Sequence, residues 1–337
     1  MADRFIADNG LSAHLVMDLA QRFDLPGIGL LLDQEKAYDR VNPDYLRACL
    51  VRFGFPEPLI SCISSLFFNT TLCINVNGFL SAPFAQGRGL RQGDPLSPLL
   101  FNLALEPLLR TIWSSPLLPG FRFRNQVSTD NLLTTESPPL LKALAYADDI
   151  MVLLSDPEEL PALLDIVNTY ERASNARLNR DKTLAVSLSG NIQPQWTQML
   201  HSCNMHQWHD KSNDTAAIYL GFPLTSSKAQ MKNFLDDLLH SIQQQADYLS
   251  QRNLSVLGRG VVANSLILSR IWHSLRVLAP TNAFLSKIRS VVIQFLSQRT
   301  FPAVSFKSCQ RPRKEGGLAV LDPTTQHAAL QLRWLLL

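Results

Sequence analysis

The chain has 337 residues, of which 46% are hydrophobic and 18% are charged, so it can bury a sizeable core and has room for two domains. That composition excludes a disordered polyelectrolyte. The net charge of +3 conceals an uneven distribution, because residues 251–337 carry 12 Lys and Arg against two acidic residues. The basic end favours a polyanion partner and the acidic remainder favours a cation-binding site, with an ordinary solvated helical surface as the alternative.

The cysteines and histidines point to a reduced protein without a zinc centre. Five widely spaced cysteines, with no CxxC, favour an intracellular compartment over a disulfide framework. His201, Cys203, His206 and His209 are metal-capable, but their spacing matches no zinc template, and we interpret this segment as a polar loop. We find neither a secretory signal nor an uncharged apolar stretch of about 20 residues, so we expect a soluble intracellular protein.

The first predicted elements are a helix, a strand and a second helix. Leucines at helical spacing predict a helix over 11–23. The short apolar run Ile28–Leu32 predicts a buried strand that ends at Asp33. Asn42 and Pro43 together predict a helix start, since Asn caps the first turn and Pro fits within it.

A hairpin and a long helix follow. Residues 70–76 are rich in strand formers, and Asn77-Gly78 is the strongest short hairpin signal that a sequence can carry. Residues 80–85 form the predicted returning strand. A long apolar helix is predicted over 96–113.

The second half divides into a mixed part and a helical part. Residues 114–139 are predicted to be an insertion loop around one short strand, 120–124. Strands are predicted over 141–147 and 150–154, and they meet at Asp148-Asp149. A helix over 157–173 and a strand over 183–188 follow. Beyond residue 229 we predict helices that Gly258 and Gly260 interrupt, with a turn at Gly316-Gly317. We predict an α+β domain to about residue 224 followed by a basic helical domain.

Three carboxylates require a joint explanation. Asp33 ends an apolar strand, and Asp148 and Asp149 lie at the turn between two apolar runs. Carboxylates at buried strand ends repel each other and favour protonation unless a divalent cation binds them. Oxygen-only ligands with open water positions suit magnesium, and a pair of such ions stabilises phosphoryl transfer. The alternative is that Asp33 is a cap and that the Asp pair simply forms a turn.

Five ordered segments carry a family resemblance. They are LDQEKAYDRV (32–41), GRGLRQGDPLSP (87–98), YADD (146–149), NRDKT (179–183) and YLGFPL (219–224). In order and spacing they resemble the conserved motifs of reverse transcriptases, and their wording is similar to that of non-LTR (LINE-type) retrotransposon polymerases. The flanks RFIADN (4–9) and EGGLAVLDP (315–323) resemble segments on either side of that domain, so the resemblance covers nearly the whole chain.

The resemblance implies a fold and a domain order. The fold is a polymerase palm, an antiparallel sheet with packed helices in a truncated right-hand arrangement, followed by a mostly helical thumb and C-terminal extension. The implied parts are a segment leading into the palm (1–26), the palm (27–224, with the insertion loop 114–139), the thumb (225–300) and a basic extension (301–337).

The resemblance also implies a role for each site residue. Asp33, Asp148 and Asp149 would be catalytic and would hold two Mg²⁺ ions, with Mn²⁺ as an alternative cation. Lys182 would donate a proton to the leaving pyrophosphate, or be an ordinary surface lysine. The implied nucleotide- and template-binding residues are Gln34, Tyr38, Arg91, Gln92, Gly93 and Tyr146. Tyr38 would exclude a 2′-hydroxyl by clash, or be a core aromatic, and Arg91 would contact a phosphate or be structural.

The implied function is RNA-directed DNA polymerase, with an RNA template, a DNA primer and dNTPs as partners. The chain begins too late to include most of the family's fingers region or an endonuclease domain, so we expect a fragment with weak or no activity of its own. One alternative is a non-catalytic nucleic-acid-binding remnant that uses the basic C-terminal region. A second alternative is an unrelated metal-dependent nucleotidyl enzyme on a similar palm.

Overall fold

The computed structural model describes residues 5–68, 70–122, 140–298 and 305–335. The chain divides into two compact units, one of residues Val16–Asp210 and the other of Met1–Leu15 with Lys211–Leu337. The division falls within the first helix. The domain boundaries at residues 26, 224 and 300 stay predictions.

The unit Val16–Asp210 alternates helices with short strands. Its helices are the last part of α1 (Ile6–Arg22), α2 (Pro43–Arg52), α3 (Glu57–Phe67), α4 (Ser97–Ser114), α5 (Glu159–Ser174) and α6 (Pro194–Ser202), with a 3-10 turn at Tyr38–Arg40. Its strands are β1 (Ile28–Leu32), β2 (Thr70–Leu72), β3 (Asn75–Val76), β4 (Phe79–Leu80), β5 (Phe84–Gln86), β6 (Ala143–Tyr146), β7 (Asp149–Leu154), β8 (Leu184–Ser187) and β9 (Gln207–His209). As predicted, Asn42 caps α2 by accepting a hydrogen bond from the Tyr45 amide, with Pro43 in the first turn.

A five-stranded sheet forms the centre of this unit, in the order β6-β7-β1-β8-β9. All its pairs are antiparallel except β8–β9, which is parallel. The apolar runs of β1 and β7 are buried along almost their whole length, as expected for strands covered on both faces. Helices α2, α3, α4 and α5 supply most of the remaining side chains of the core around these strands.

The insertion loop predicted over 114–139 falls only partly within the described residues. Its base is closed by a bridge in which the backbones of Phe121 and Leu141 exchange two hydrogen bonds. Residues 123–139, and with them the end of the strand predicted over 120–124, lie outside the described residues. Arg4 of the segment 4–9 also lies outside them.

The second unit has a small hairpin and a helical body with its own core. Its elements are the start of α1, β10 (Ala217–Tyr219), β11 (Phe222–Leu224), α7 (Lys228–Ser250), α8 (Val256–Val262), a π-helical stretch (Ala263–Leu268), α9 (Ser269–Leu275), α10 (Asn282–Ser297), α11 (Phe306–Gln310) and α12 (Pro323–Leu332), with 3-10 turns at Arg313–Glu315 and Arg333–Leu335. Cys309, Leu318, Val320 and Leu330 belong to the same core as the residues of α7 and α10. The segment after residue 300 is therefore packed into this unit.

Two local predictions are wrong. Gly258 and Gly260 do not break the helical pattern, because both lie inside α8. A Cβ at Gly260 would lie 2.9 Å from the Leu318 Cβ, so glycine here permits close packing between a helix and a neighbouring segment. The segment 201–209 is not a loop either, since it contains the end of α6 and all of β9, which joins the sheet edge beside β8.

Candidate active site

Asp33 and the Asp148–Asp149 pair meet at one edge of the central sheet. Leu32, the last residue of β1, pairs with Ile150 of β7, so Asp33 leaves the sheet opposite Asp149, the first residue of β7. Asp149 in turn pairs with Tyr146 of β6, which leaves Ala147 and Asp148 as the connecting turn. Ala147 adopts a left-handed conformation with φ of 52°. The strand pairing thus brings the three predicted carboxylates to the same end of adjacent strands.

The negative charges of these carboxylates influence one another. Partial desolvation raises the pKa of Asp149 above its ordinary value, and the negative charges of Asp148 and Asp33 raise it further. Within the part of the chain that the structure describes, no group of three or more His, Cys, Asp or Glu side chains is assembled as a metal site. The three carboxylates lie close enough to repel one another, but their side chains do not converge on a single point.

Lys182 is brought to the same edge by the strand on the other side of β1. Leu31 pairs with Leu184, so the chain that enters β8 passes beside Asp33. The amide of Asn179 donates to the Asp33 carbonyl at 2.8 Å, and the Thr183 hydroxyl donates to the Asn179 carbonyl at 2.8 Å. These bonds fold residues 179–183 into a turn against the end of β1. The side chain of Lys182 is exposed there.

Tyr38 lies between the core and the carboxylate edge. Its ring stacks on the buried Phe101 of α4, with a centroid distance of 4.7 Å and an interplanar angle of 13°. Desolvation raises the pKa of the Tyr38 phenol, and the charge of Asp148 raises it further. One face of the ring is therefore fixed by packing while the residue stays half-buried.

The 3-10 turn that carries Tyr38 is tied to the end of α5. The Arg40 Nε donates to the Asn175 carbonyl at 2.9 Å, and the Asn175 side-chain amide donates to the Arg40 carbonyl at 3.0 Å. Asn175 terminates α5 in a left-handed conformation with φ of 62°, which asparagine tolerates better than most residues. The reciprocal pair holds the Tyr38 segment against α5.

The segment 88–93 is tied to Tyr38 from the other side. The amides of Gly89 and Leu90 donate to the carbonyls of Val41 and Tyr38 at 2.9 and 2.8 Å. Gly89 has φ of 87°, and a Cβ there would lie 2.7 Å from the Asp39 carbonyl oxygen, so glycine is required for this approach.

The residues that follow Leu90 differ in their surroundings. Gln92 is exposed, and Gly93 has φ of 93° with nothing within 4 Å of where its Cβ would lie. Arg91 instead turns to α3, where its guanidinium donates to the Leu66 carbonyl and lies 5.1 Å from the centre of the Phe67 ring. This is the position of a structural contact, and a role for Arg91 toward a nucleotide stays a prediction.

Comparison with known proteins decides the family. Residues 20–224 match the family model described as reverse transcriptase (RNA-dependent DNA polymerase). The chain belongs to the reverse transcriptase family. The match includes the whole carboxylate edge, the Tyr38 turn, and residues 88–93 and 179–183 of this reverse transcriptase domain.

Relatives place the domain among non-LTR retrotransposon proteins. It is 30% identical over 333 residues to the transposon TX1 uncharacterized 149 kDa protein of Xenopus laevis, covering 98% of this chain and 24% of the relative. It is 24% identical over 338 residues to the Pol polyprotein of the type-2 retrotransposable element R2DM of Drosophila melanogaster, covering 97% of this chain and 29% of the relative. The chain therefore spans about a quarter of the length of these relatives. A solved telomerase from Candida tropicalis, in complex with a TWJ fragment of telomeric RNA, aligns over 97% of this chain and 47% of its own, with 16% identity and a TM-score of 0.44.

Strand pairing also places Gln34 and Tyr146 beside the carboxylate edge. Gln34 continues the strand pairing after Asp33 through a bridge with Leu178, and Tyr146 is exposed at the end of β6. Members of the family generally use divalent metal ions. In the described part of the chain, no helix is long and apolar enough to cross a membrane.

Sequence reasoning missed the residues that position this site. Thr183 is fully buried and bonded to the Asp33 segment, Asn175 and Arg40 clamp the Tyr38 turn, and Phe101 supports the Tyr38 ring. An asparagine just past a predicted helix is a recognised termination signal, so Asn175 could have been found. Its partner Arg40 lies 135 residues away in sequence, and only the fold identifies it.

Proposed function

We propose that this domain is an RNA-directed DNA polymerase that extends a DNA primer on an RNA template, using dNTPs and two Mg²⁺ ions, with Mn²⁺ as an alternative cation. The observation that carries the proposal is the placement of Asp33 opposite Asp149 on paired strands, with Asp148 in the adjoining turn. The raised pKa of Asp149, caused by desolvation and then by the charges of its two neighbours, supports it.

The donor set at this edge fits a divalent cation. Asp33, Asp148 and Asp149 would hold it, together with the backbone carbonyl of Gln34, because hard cations prefer carboxylate and carbonyl oxygen. The negative charges of Asp148 and Asp33 repel that of Asp149, and a bound cation would relieve this repulsion. When bound, the cations would supply charge neutralisation at the phosphates and at the attacking and leaving oxygens.

In this reaction the protein mainly has to position the reacting groups and supply a proton. The primer 3′-hydroxyl loses its proton to water while its oxygen forms a bond to the α-phosphorus of the dNTP, and the bond from that phosphorus to the pyrophosphate oxygen breaks. The Lys182 ammonium, exposed at the same edge as Asp33, is the group proposed to give a proton to the leaving pyrophosphate. Its neighbours in the turn 179–183 fix where that side chain starts.

Tyr38, Gln92 and Gly93 are proposed to shape the nucleotide pocket. The Tyr38 ring is backed by Phe101, so it cannot retreat from a 2′-hydroxyl, and a ribonucleotide would clash with it. The open space beside Gly93 leaves room for a nucleotide or template backbone to approach. Tyr146 borders the carboxylate turn and is proposed to contact the primer or nucleotide.

Primer extension on poly(rA)–oligo(dT) with dTTP and Mg²⁺ tests the proposal. Asp33→Asn, Asp148→Asn and Asp149→Asn should each reduce extension by roughly a hundredfold or more, because each removes an anionic ligand for the cations that would neutralise the phosphate charge. Asp165→Asn is the matched control, since it removes an exposed carboxylate from α5, and it should leave extension unchanged.

A binding-only protein is the second candidate, favoured by the concentration of Lys and Arg in residues 251–337. It predicts salt-sensitive RNA binding that is indifferent to Asp148→Asn and to magnesium, with no extension by the unaltered chain. That combination of results would replace the polymerase proposal.

A further inference from the structure

An exposed apolar hairpin projects from the unit Val16–Asp210. Strands β3 and β4 pair through Asn75 with Leu80 and Val76 with Phe79. The turn Asn77-Gly78 has positive φ at both residues, 51° and 91°, as a type I′ turn requires. The Gly78 amide also donates to the Asn75 side chain at 2.9 Å, which fixes the tip. Phe79 is therefore presented by a defined turn.

The apolar side chains of this hairpin are largely open to solvent. Phe79 is 81% exposed and Leu80 is 69% exposed, and Ile74, Val76 and Phe84 are exposed as well. Single apolar residues on a surface need no explanation, but a contiguous group of this kind indicates a contact surface. A rigid turn that holds a phenylalanine outward is an unfavourable arrangement unless something covers the ring.

The charged residues near the hairpin in sequence indicate which class of partner it would bind. Between Glu57 and Asp94 the sequence contains no acidic residue, while Arg88 and Arg91 are present. Arg88 is exposed at the root of the hairpin. A segment without carboxylates, with exposed aromatic and polar uncharged side chains and an exposed arginine, is complementary to a single-stranded nucleic acid.

The root of the hairpin joins it to the candidate active site. Strands β2 and β5 pair from Thr70 with Gln86 outward, and the Gln86 side-chain amide donates to the Gly89 carbonyl at 2.9 Å. Gly89 and Leu90 are the residues bonded to the Tyr38 segment. The hairpin therefore rises directly from the loop that flanks Tyr38.

We propose that residues 73–84 form a contact surface for the single-stranded template, in which the Phe79 ring stacks on an unpaired base. The inference rests on the proposed function, because it takes the strand that the polymerase would copy as the occupant. Stacking on an aromatic ring is indifferent to base identity, as a polymerase template contact must be. The short uncharged strands add van der Waals contact without reading sequence.

Binding of a fluorescent, unstructured single-stranded RNA to the whole chain, measured by anisotropy without metal or dNTP, tests the inference. Phe79→Ala should weaken binding roughly tenfold, the effect expected for loss of one stacked base. Phe79→Leu should weaken it nearly as much, since leucine keeps the apolar contact but lacks a π-face, whereas Phe79→Trp should restore it. Ile192→Ala is the control, because Ile192 is 63% exposed elsewhere in the same unit, and it should bind as the unaltered chain does.

Two results would overturn the inference. The first is unchanged RNA affinity in Phe79→Ala. The second is a change of self-association, seen by sedimentation, with RNA affinity retained, since that would make a second copy of the chain the occupant. Because Phe79 is exposed, thermal unfolding of the variants should match that of the unaltered chain. Primer extension is measured separately. If the chain extends a primer but its RNA binding does not depend on Phe79, only this inference is contradicted. If RNA binding depends on Phe79 but no extension occurs, only the polymerase proposal is contradicted.

Discussion

Thr183 links the two segments that carry Asp33 and Lys182. Its fully buried hydroxyl donates to the Asn179 carbonyl at 2.8 Å and lies 3.5 Å from the Asp33 amide, which donates to it. The Asn179 amide completes the link by donating to the Asp33 carbonyl. A buried hydroxyl that joins two backbone segments fixes their spacing, so we expect Thr183 to position the Asp33 and Lys182 segments relative to each other.

Thr183→Val should therefore damage both stability and activity. Valine matches threonine closely in shape but loses the hydroxyl, which should lower the free energy of unfolding by about 1–2 kcal/mol. Displacement of Asp33 relative to Lys182 should lower kcat roughly tenfold with little change in the KM for dNTP. Thr183→Ser retains the hydroxyl and should recover kcat. Urea unfolding and steady-state extension measure the two effects, and a Val variant with normal kcat would show that the link does not position the site.

At the level of single residues, local sequence patterns mark the carboxylates but not the side chains that support them. Asp33 directly follows β1 and Asp149 begins β7, so a local pattern marks them, and the roles of the other motif residues stay predictions. Arg91 illustrates the limit of this reasoning. Its motif position suggests a nucleotide contact, yet the fold places α3 beside it, and its guanidinium lies against Leu66 and Phe67.

At the level of elements, one ion pair joins two helices of the unit that contains Lys211–Leu337. Asp322 caps α12 by accepting from the Thr325 amide and hydroxyl, and it also accepts from Arg289 of α10 at 2.6 Å. Burial by itself would raise the pKa of Asp322, but the hydrogen bonds from Arg289 and Thr325 outweigh it and lower the pKa. The carboxylate is thus both a helix cap and a link between helices.

Asp322→Asn should separate these two roles. Asparagine keeps the cap but loses the charge, so it should cost about 1–2 kcal/mol of unfolding free energy at pH 7, and Asp322→Ala should cost about 1 kcal/mol more. Because the folded-state pKa is lowered, the contribution of the charge is complete above the unfolded pKa and is lost as pH falls through the folded pKa.

Urea unfolding as a function of pH measures this dependence. The curves of the unaltered chain and the Asn variant should converge at acid pH. Asp237→Asn, an exposed carboxylate on α7, is the control and should show no loss at pH 7. A difference that persists unchanged below the folded pKa would contradict an electrostatic origin.

Element predictions succeeded where a local signal was strong. The strand Ile28–Leu32 and the Asn77-Gly78 hairpin are confirmed because apolar runs and positive-φ turns are encoded by neighbouring residues. The prediction at Gly258 and Gly260 was wrong because the sequence alone does not distinguish a glycine that breaks a helix from a glycine that allows close packing. Strand β9 was missed because its three residues pair only with β8, through a contact that no local pattern encodes.

At the scale of the whole chain, the two compact units have separate hydrophobic cores. One is built around the central sheet and the other around α7, α9 and α10. Cys49 in α2 is buried within the unit Val16–Asp210, and Cys309 in α11 is buried in the helical core. All five cysteines are free.

Thiol labelling should report the opening of each unit separately. Cys62 and Cys73 are exposed and should react within minutes in native buffer, while Cys203 is half-buried and should react more slowly. Burial raises the pKa of the Cys49 thiol, despite a hydrogen bond with Tyr45 that lowers it, and burial likewise raises the pKa of Cys309. Both should react on the order of a hundredfold more slowly, because the thiolate is the reactive form and the chain must open to expose it.

Pulse labelling at increasing urea, with each cysteine resolved by peptide mass spectrometry, makes the test specific to each core. Ile150→Ala removes side-chain volume from the sheet core and should shift the labelling midpoint of Cys49 to lower urea. Ile288→Ala should do the same for Cys309, because it opens a cavity in the helical core. Native-buffer labelling of Cys49 or Cys309 as fast as that of Cys73 would contradict the packing of the corresponding core.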